Sequence, residues 1–137
     1  MTAKQYLNRA YGLRRRIAAK ELHLEELRTQ AEHITADLTG MPRGSEPSSP
    51  VERIAVQIAD LSQDIEYDWL DLLAIQAETR KLIESLPDPV YVELLSHRYI
   101  SYKPWRQIAE LMHYSDRAVF KIHRKALHYI EQFIEVQ

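Results

Sequence analysis

The sequence predicts an all-α protein: a long antiparallel helical hairpin of coiled-coil type over residues 1–86, followed by a small helix-turn-helix domain over residues 87–137. Three observations carry this expectation. The composition is 45% hydrophobic and 28% charged with only 3 glycines in 137 residues, which suits helices and leaves few of the turn residues an all-β fold requires. Apolar residues then recur with a 3.5-residue period through the first part of the chain, the spacing that keeps one stripe facing a partner helix along its whole length. Beyond residue 87 the periodic segments shorten and are separated by turn signals, as expected of a compact bundle of short helices.

The first helix is expected from Thr2 to Leu38. Thr2 and Gln5 stand at the capping-box spacing, where a side-chain oxygen and an amide each satisfy a free backbone N–H. Tyr6, Ala10, Leu13, Ile17, Lys20, Leu24, Leu27, Ala31, Ile34 and Leu38 then alternate by four and three residues, and only Lys20 interrupts the apolar seam. Gly40 to Pro50 holds three prolines and two glycines, which cannot continue a helix and predict the turn of the hairpin.

A second helix is expected from Val51 to Leu86, with Val51, Ile54, Ile58, Leu61, Ile65, Trp69, Leu72, Ile83 and Leu86 on its inner side. Two four-residue steps follow each other at Leu61, Ile65 and Trp69, and the pattern weakens at Gln76 and Thr79. Such a stutter predicts local loosening of a supercoil. With Leu38 opposite Val51, Lys20 falls near Asp68 and Trp69. Val56, Leu70, Leu73, Ile75 and Leu82 lie off the seam as a second apolar stripe. A two-helix hairpin covers one stripe per helix, so homodimerisation into a four-helix bundle is expected to cover the rest.

Asp88 and Pro89 cap and open the next helix, to Tyr99. Further helices are expected over residues 104–112 and from Ser115 to about Phe133. Trp105, Ile108, Ala109 and Met112 share one face, and Ala109 is the small residue needed where two steeply crossing helices approach. His113 and Tyr114 form the turn, and Ser115 caps a helix with an expected core face of Val119, Ile122, Ala126 and Leu127. Its outward positions are Arg117, Ala118, Phe120, Lys121, Arg124 and Lys125.

The formal net charge of −2 conceals a segregation. Between Arg98 and Lys125 lie seven basic residues against Glu110 and Asp116, a local excess of +5. A short basic stretch on a near-neutral chain is the footprint of a compact reader of duplex DNA.

Other classes of function find little purchase. There is no cysteine, so disulfides and thiolate chemistry are excluded. The six histidines include no pair at helical metal-site spacing, and no Gly-rich phosphate loop or nucleophile elbow occurs, so neither metal, cofactor nor enzymatic activity is expected. No continuous apolar run reaches the length of a signal core or membrane span, and a cytoplasmic protein is expected.

The run Arg98-Tyr99, Trp105, Ile108-Ala109, Met112, Ser115, Val119, Ile122 and Lys125-Ala126-Leu127 resembles region 4 of bacterial sigma factors, over about 40 residues. Most of the chain resembles the small phage transcriptional regulators of the ArpU and RinA kind. The resemblance implies sequence-specific binding of double-stranded promoter or operator DNA in the bacterial host, with RNA polymerase as a further candidate partner. It places Arg117, Phe120 and Lys121 at base edges, and Lys103, Arg106, Ser115, Arg124 and Lys125 at phosphates. Sigma-like turns usually carry glycine where His113 stands, so either His113 adopts the left-handed conformation, which histidine tolerates, or the turn differs locally. Two alternatives share the same motif: a small terminase-like DNA-packaging subunit, and a sigma-like module that docks on polymerase instead of DNA.

Overall fold

The computed structural model describes residues 1–38 and 49–134, with side chains at all of these except 37 and 38. The described residues form only helices: α1 (Ala3–Leu7), α2 (Arg9–Leu38), α3 (Pro50–Glu84), α4 (Pro89–Tyr99), α5 (Trp105–Met112) and α6 (Asp116–Phe133). The expected hairpin turn over residues 40–50, and the seam side chain expected at Leu38, fall outside the described residues save for Ser49 and Pro50. The chain divides into two compact units, one of residues Arg14–Asp71 and one joining Met1–Leu13 to the chain from Leu72 onward.

In the first of these, the helical period of the sequence reappears as burial. From Arg14 to residue 36, Ile17, Lys20, Leu24, Leu27, Ala31 and Ile34 are buried or half-buried and every other side chain is exposed. On α3 the covered positions are Val51, Ile54, Ile58, Leu61, Ser62, Ile65 and Asp68. Trp69, expected on this stripe, is instead 45% exposed. The reason is electrostatic. Lys20 Nζ lies 2.7 Å from Asp68 Oδ2 and 2.8 Å from Asp64 Oδ2, and the Asp68 side chain is only 13% exposed. Asp68 therefore occupies the inner position, the four-three alternation continues through Ile58, Leu61, Ile65 and Asp68, and the stutter expected at Trp69 is absent. Hydrogen bonds to Asp64 and then Asp68 hold the Lys20 ammonium above its usual range.

The second unit has one core: Ala3, Leu7, Ile83, Leu86, Leu94, Leu95, Tyr99, Ile108, Ala109, Met112, Val119, Ala126 and Ile130. The boundary expected between residues 86 and 87 falls inside it. α1 joins this core because its first turn is doubly fixed. Thr2 and Gln5 complete the reciprocal cap, and the Ala3 N–H donates to the Glu131 carboxylate near the end of α6. The single helix expected from residue 2 to residue 38 is interrupted at Asn8, which caps α1 with φ −82° and ψ −2°. Asn8 and Gly12 are weak helix formers that stand close together at this point. Thr79 is wholly buried and Gln76 donates to the Tyr102 hydroxyl at 2.6 Å, so these two polar positions lie inward. Of the off-seam apolar residues, Val56, Leu70 and Leu73 are exposed, whereas Ile75 and Leu82 are partly covered, which shortens the second stripe.

Two outcomes are expected. Lys20→Leu leaves Asp68 half-buried without its cation, so it lowers the thermal midpoint followed by circular dichroism; adding Asp68→Leu restores or exceeds the wild-type midpoint, as replacing a whole buried pair by apolar residues commonly does. A single-variant midpoint equal to wild type would show the pair to be immaterial. Leu7→Ala lowers the stability of the second unit by about 2–5 kcal/mol in denaturant unfolding, and a fragment of residues 87–137 unfolds well below the intact chain because it lacks Ala3, Leu7, Ile83 and Leu86.

Candidate functional site

The site is built on α6. Ser115 is its N-cap, and its hydroxyl accepts the Ala118 N–H at 3.1 Å. Val119, His123, Ala126 and Ile130 are the buried residues of this helix, and their four-three-four spacing places them on one stripe. Helical geometry then sets Arg117, Lys121 and Arg124, at successive four- and three-residue steps, on the opposite face, with Phe120 to one side and Lys125 to the other. Arg117, Phe120, Lys121, Arg124 and Lys125 are all exposed, as is Arg106 near the start of α5. Among the described residues none of these cations is ion-paired within the chain, so their full positive potential faces solvent.

The turn before α6 holds the helix at a defined place. Ala109 is buried, and its small side chain permits close approach of the neighbouring helix. His113 adopts the left-handed conformation, φ 59° and ψ 39°. The Tyr114 N–H bonds the Ala109 carbonyl at 3.0 Å and the His113 N–H bonds the Glu110 carbonyl at 3.3 Å. These two bonds form a Schellman motif, which ends α5 by satisfying its last carbonyls. Histidine tolerates a conformation usually left to glycine.

Beneath the exposed face, the inner residue expected to be Ile122 is accompanied by an unexpected one. His123 is buried, and its Nε2 lies 2.7 Å from the Tyr99 hydroxyl. Ile122 and Leu127 flank the stripe half-covered. Burial, followed by the charges of Lys4 and Arg98, pushes the His123 imidazole down to about 4, and burial pushes the Tyr99 phenol up to about 12. Both groups are therefore neutral at pH 7, which is the state a buried hydrogen-bonded pair favours.

An aromatic chain runs from this pair to the surface. Trp105 meets His123 edge-on at 4.5 Å and Phe120 at 5.4 Å between ring centres. The Arg98 guanidinium stacks 4.6 Å above the Trp105 ring and donates to the Lys103 carbonyl at 3.1 Å. Lys103 is half-buried, with Nζ 2.9 Å from His97 Nδ1. Of the eight residues expected at the site, five on α6 thus share one exposed surface with Ser115 at its cap, Arg106 precedes them on α5, and Lys103 is drawn toward α4. Sequence reasoning missed His123 and the linking role of Arg98. The signal for His123 was present in the spacing of residues 119, 123, 126 and 130, but a polar residue was not read as core.

Among the described residues no three His, Cys, Asp or Glu side chains cluster as a metal site needs, and no helix is long and apolar enough to cross a membrane. Comparison with protein-family profiles, curated proteins and solved structures finds no match to this chain.

The His123 shift has a consequence for stability. Its folded value lies below the unfolded one, 6.5, so the unfolded chain binds more protons between the two. Stability is complete above about pH 6.5 and declines as pH falls toward about 4, by roughly 3 kcal/mol in all. Urea unfolding across this window is expected to show a steeper loss for wild type than for His123→Phe. Parallel profiles would show that His123 does not stay neutral in the fold.

Proposed function

We propose that this chain is a sequence-specific double-stranded DNA-binding transcriptional regulator, of the phage ArpU and RinA kind, acting in the bacterial cytoplasm. In this reading α5 and α6 are a helix-turn-helix of sigma-region-4 type, and α6 is the helix that enters the major groove. One observation carries the proposal: Arg117, Lys121 and Arg124 form an unpaired cationic stripe on the face of α6 opposite a stripe buried in the core. Among the described residues these cations make no ion pair within the fold, and their charge is what a helix presents to a phosphate-lined groove. The left-handed turn at His113 and the buried Ala109 support it, since both serve close approach of consecutive helices.

Residues 14–71 are proposed as a coiled-coil hairpin that pairs with a second copy. Leu22, Val56 and Leu70 are large apolar side chains left exposed there, and a second copy would remove them from water. Dimerisation would join two readers and make the second binding event intramolecular, raising avidity by about 10² to 10⁴. The acidic balance of residues 51–87, eight acidic side chains against three basic, keeps α3 away from DNA by repulsion and leaves contact to α6.

The test begins with duplexes enriched by the full chain from a randomised pool. Arg117→Ala and Lys121→Ala are each expected to weaken binding to the enriched duplex by about 1–3 kcal/mol in fluorescence anisotropy, with unchanged circular dichroism. Failure to enrich any duplex would overturn the DNA reading. Equal losses on enriched and random DNA would assign these residues to phosphates alone.

A further inference from the structure

On the exposed basic face of α6, Phe120 is chemically out of place. The residue is 45% exposed and stands beside Arg117, Lys121 and Arg124, where a polar side chain would be better solvated. The ring is nonetheless not free. It rests against Trp105, at 5.4 Å between centres, and Trp105 is held in turn by the Arg98 guanidinium at 4.6 Å and by His123 at 4.5 Å. His123 is fixed by its hydrogen bond to Tyr99. The surface thus offers a pre-positioned apolar ring within a cationic field.

A ligand complementary to it carries dense negative charge and, at one point, an exposed apolar group. The major groove of DNA has one such group among the four standard bases, the C5 methyl of thymine. We propose that Phe120 is a specificity-determining residue that receives a thymine methyl, and that Trp105 and Arg98 are positioning residues that hold its ring. The assignment rests on the DNA-reading proposal above and extends it to one base. Because the ring is already oriented, little side-chain freedom is lost on contact, and the gain is that of covering one methyl group.

The full chain and its Phe120→Ala and Phe120→Leu variants are used to enrich duplexes from a pool with a randomised core of about 20 base pairs, a length that covers two half-sites one helical turn apart. The wild-type motif is expected to contain a thymine that the Phe120→Ala motif lacks, the other positions being unchanged. Replacing that thymine by uracil, which removes only the methyl, is expected to weaken wild-type binding about fourfold, the factor for one methyl-sized group. The same replacement leaves Phe120→Ala unaffected, and Phe120→Leu, which keeps an apolar side chain, retains part of the effect. Circular dichroism identical to wild type shows the variants folded. A wild-type motif with no uracil-sensitive thymine, or one whose sensitivity survives in Phe120→Ala, overturns this assignment and leaves DNA reading intact. A pool with no enriched motif overturns both.

Discussion

Because α6 buries Val119, His123, Ala126 and Ile130 along one stripe, α1, α4 and α5 can all be seated against the same helix. The second unit, which joins Met1–Leu13 to the chain from Leu72 onward, depends on that stripe. Three of its members are apolar and contribute through area removed from water. The fourth, His123, is tolerated because Tyr99 supplies a hydrogen bond and because burial keeps the imidazole neutral. A buried polar group satisfied in this way sets a unique arrangement, since a shifted helix would leave both partners unpaired at a cost of several kcal/mol. The exposed face of α6 is then oriented by what lies behind it.

The other unit shows the same logic with charges. A seam made only of Ile, Leu and Ala permits slippage by whole heptads, because each register buries similar surface. Lys20, with Asp64 and Asp68 facing it, singles out one register. The apolar stripe supplies most of the stabilisation and the ion cluster supplies the choice.

Much of this was legible in the sequence. From Arg14 to residue 36 the seam positions of α2 matched burial residue by residue, the Thr2–Gln5 cap formed as its spacing required, and of the two turn forms open to His113 the left-handed one is adopted. The exposed cations of α6 could be named because a helix with one buried stripe has a determinate outer face. What escaped were polar residues turned inward: Asp68 in place of Trp69, Thr79, and His123. Pattern reasoning assigns polar side chains to solvent, and each of these is kept inside, Asp68 and His123 by partners 48 and 24 residues away in the chain.

The sequence by itself determined the helical class, the heptad seam, the caps and the cationic face, because these arise from interactions within a few residues. Only the tertiary structure decided that α1 and the end of α3 belong to the same core as α4, α5 and α6, that Asp68 rather than Trp69 faces Lys20, and that Phe120 leans on Trp105. Each of these is a contact between distant segments. Its energy depends on burial and on a partner in space, and neither is written in the local order of residues.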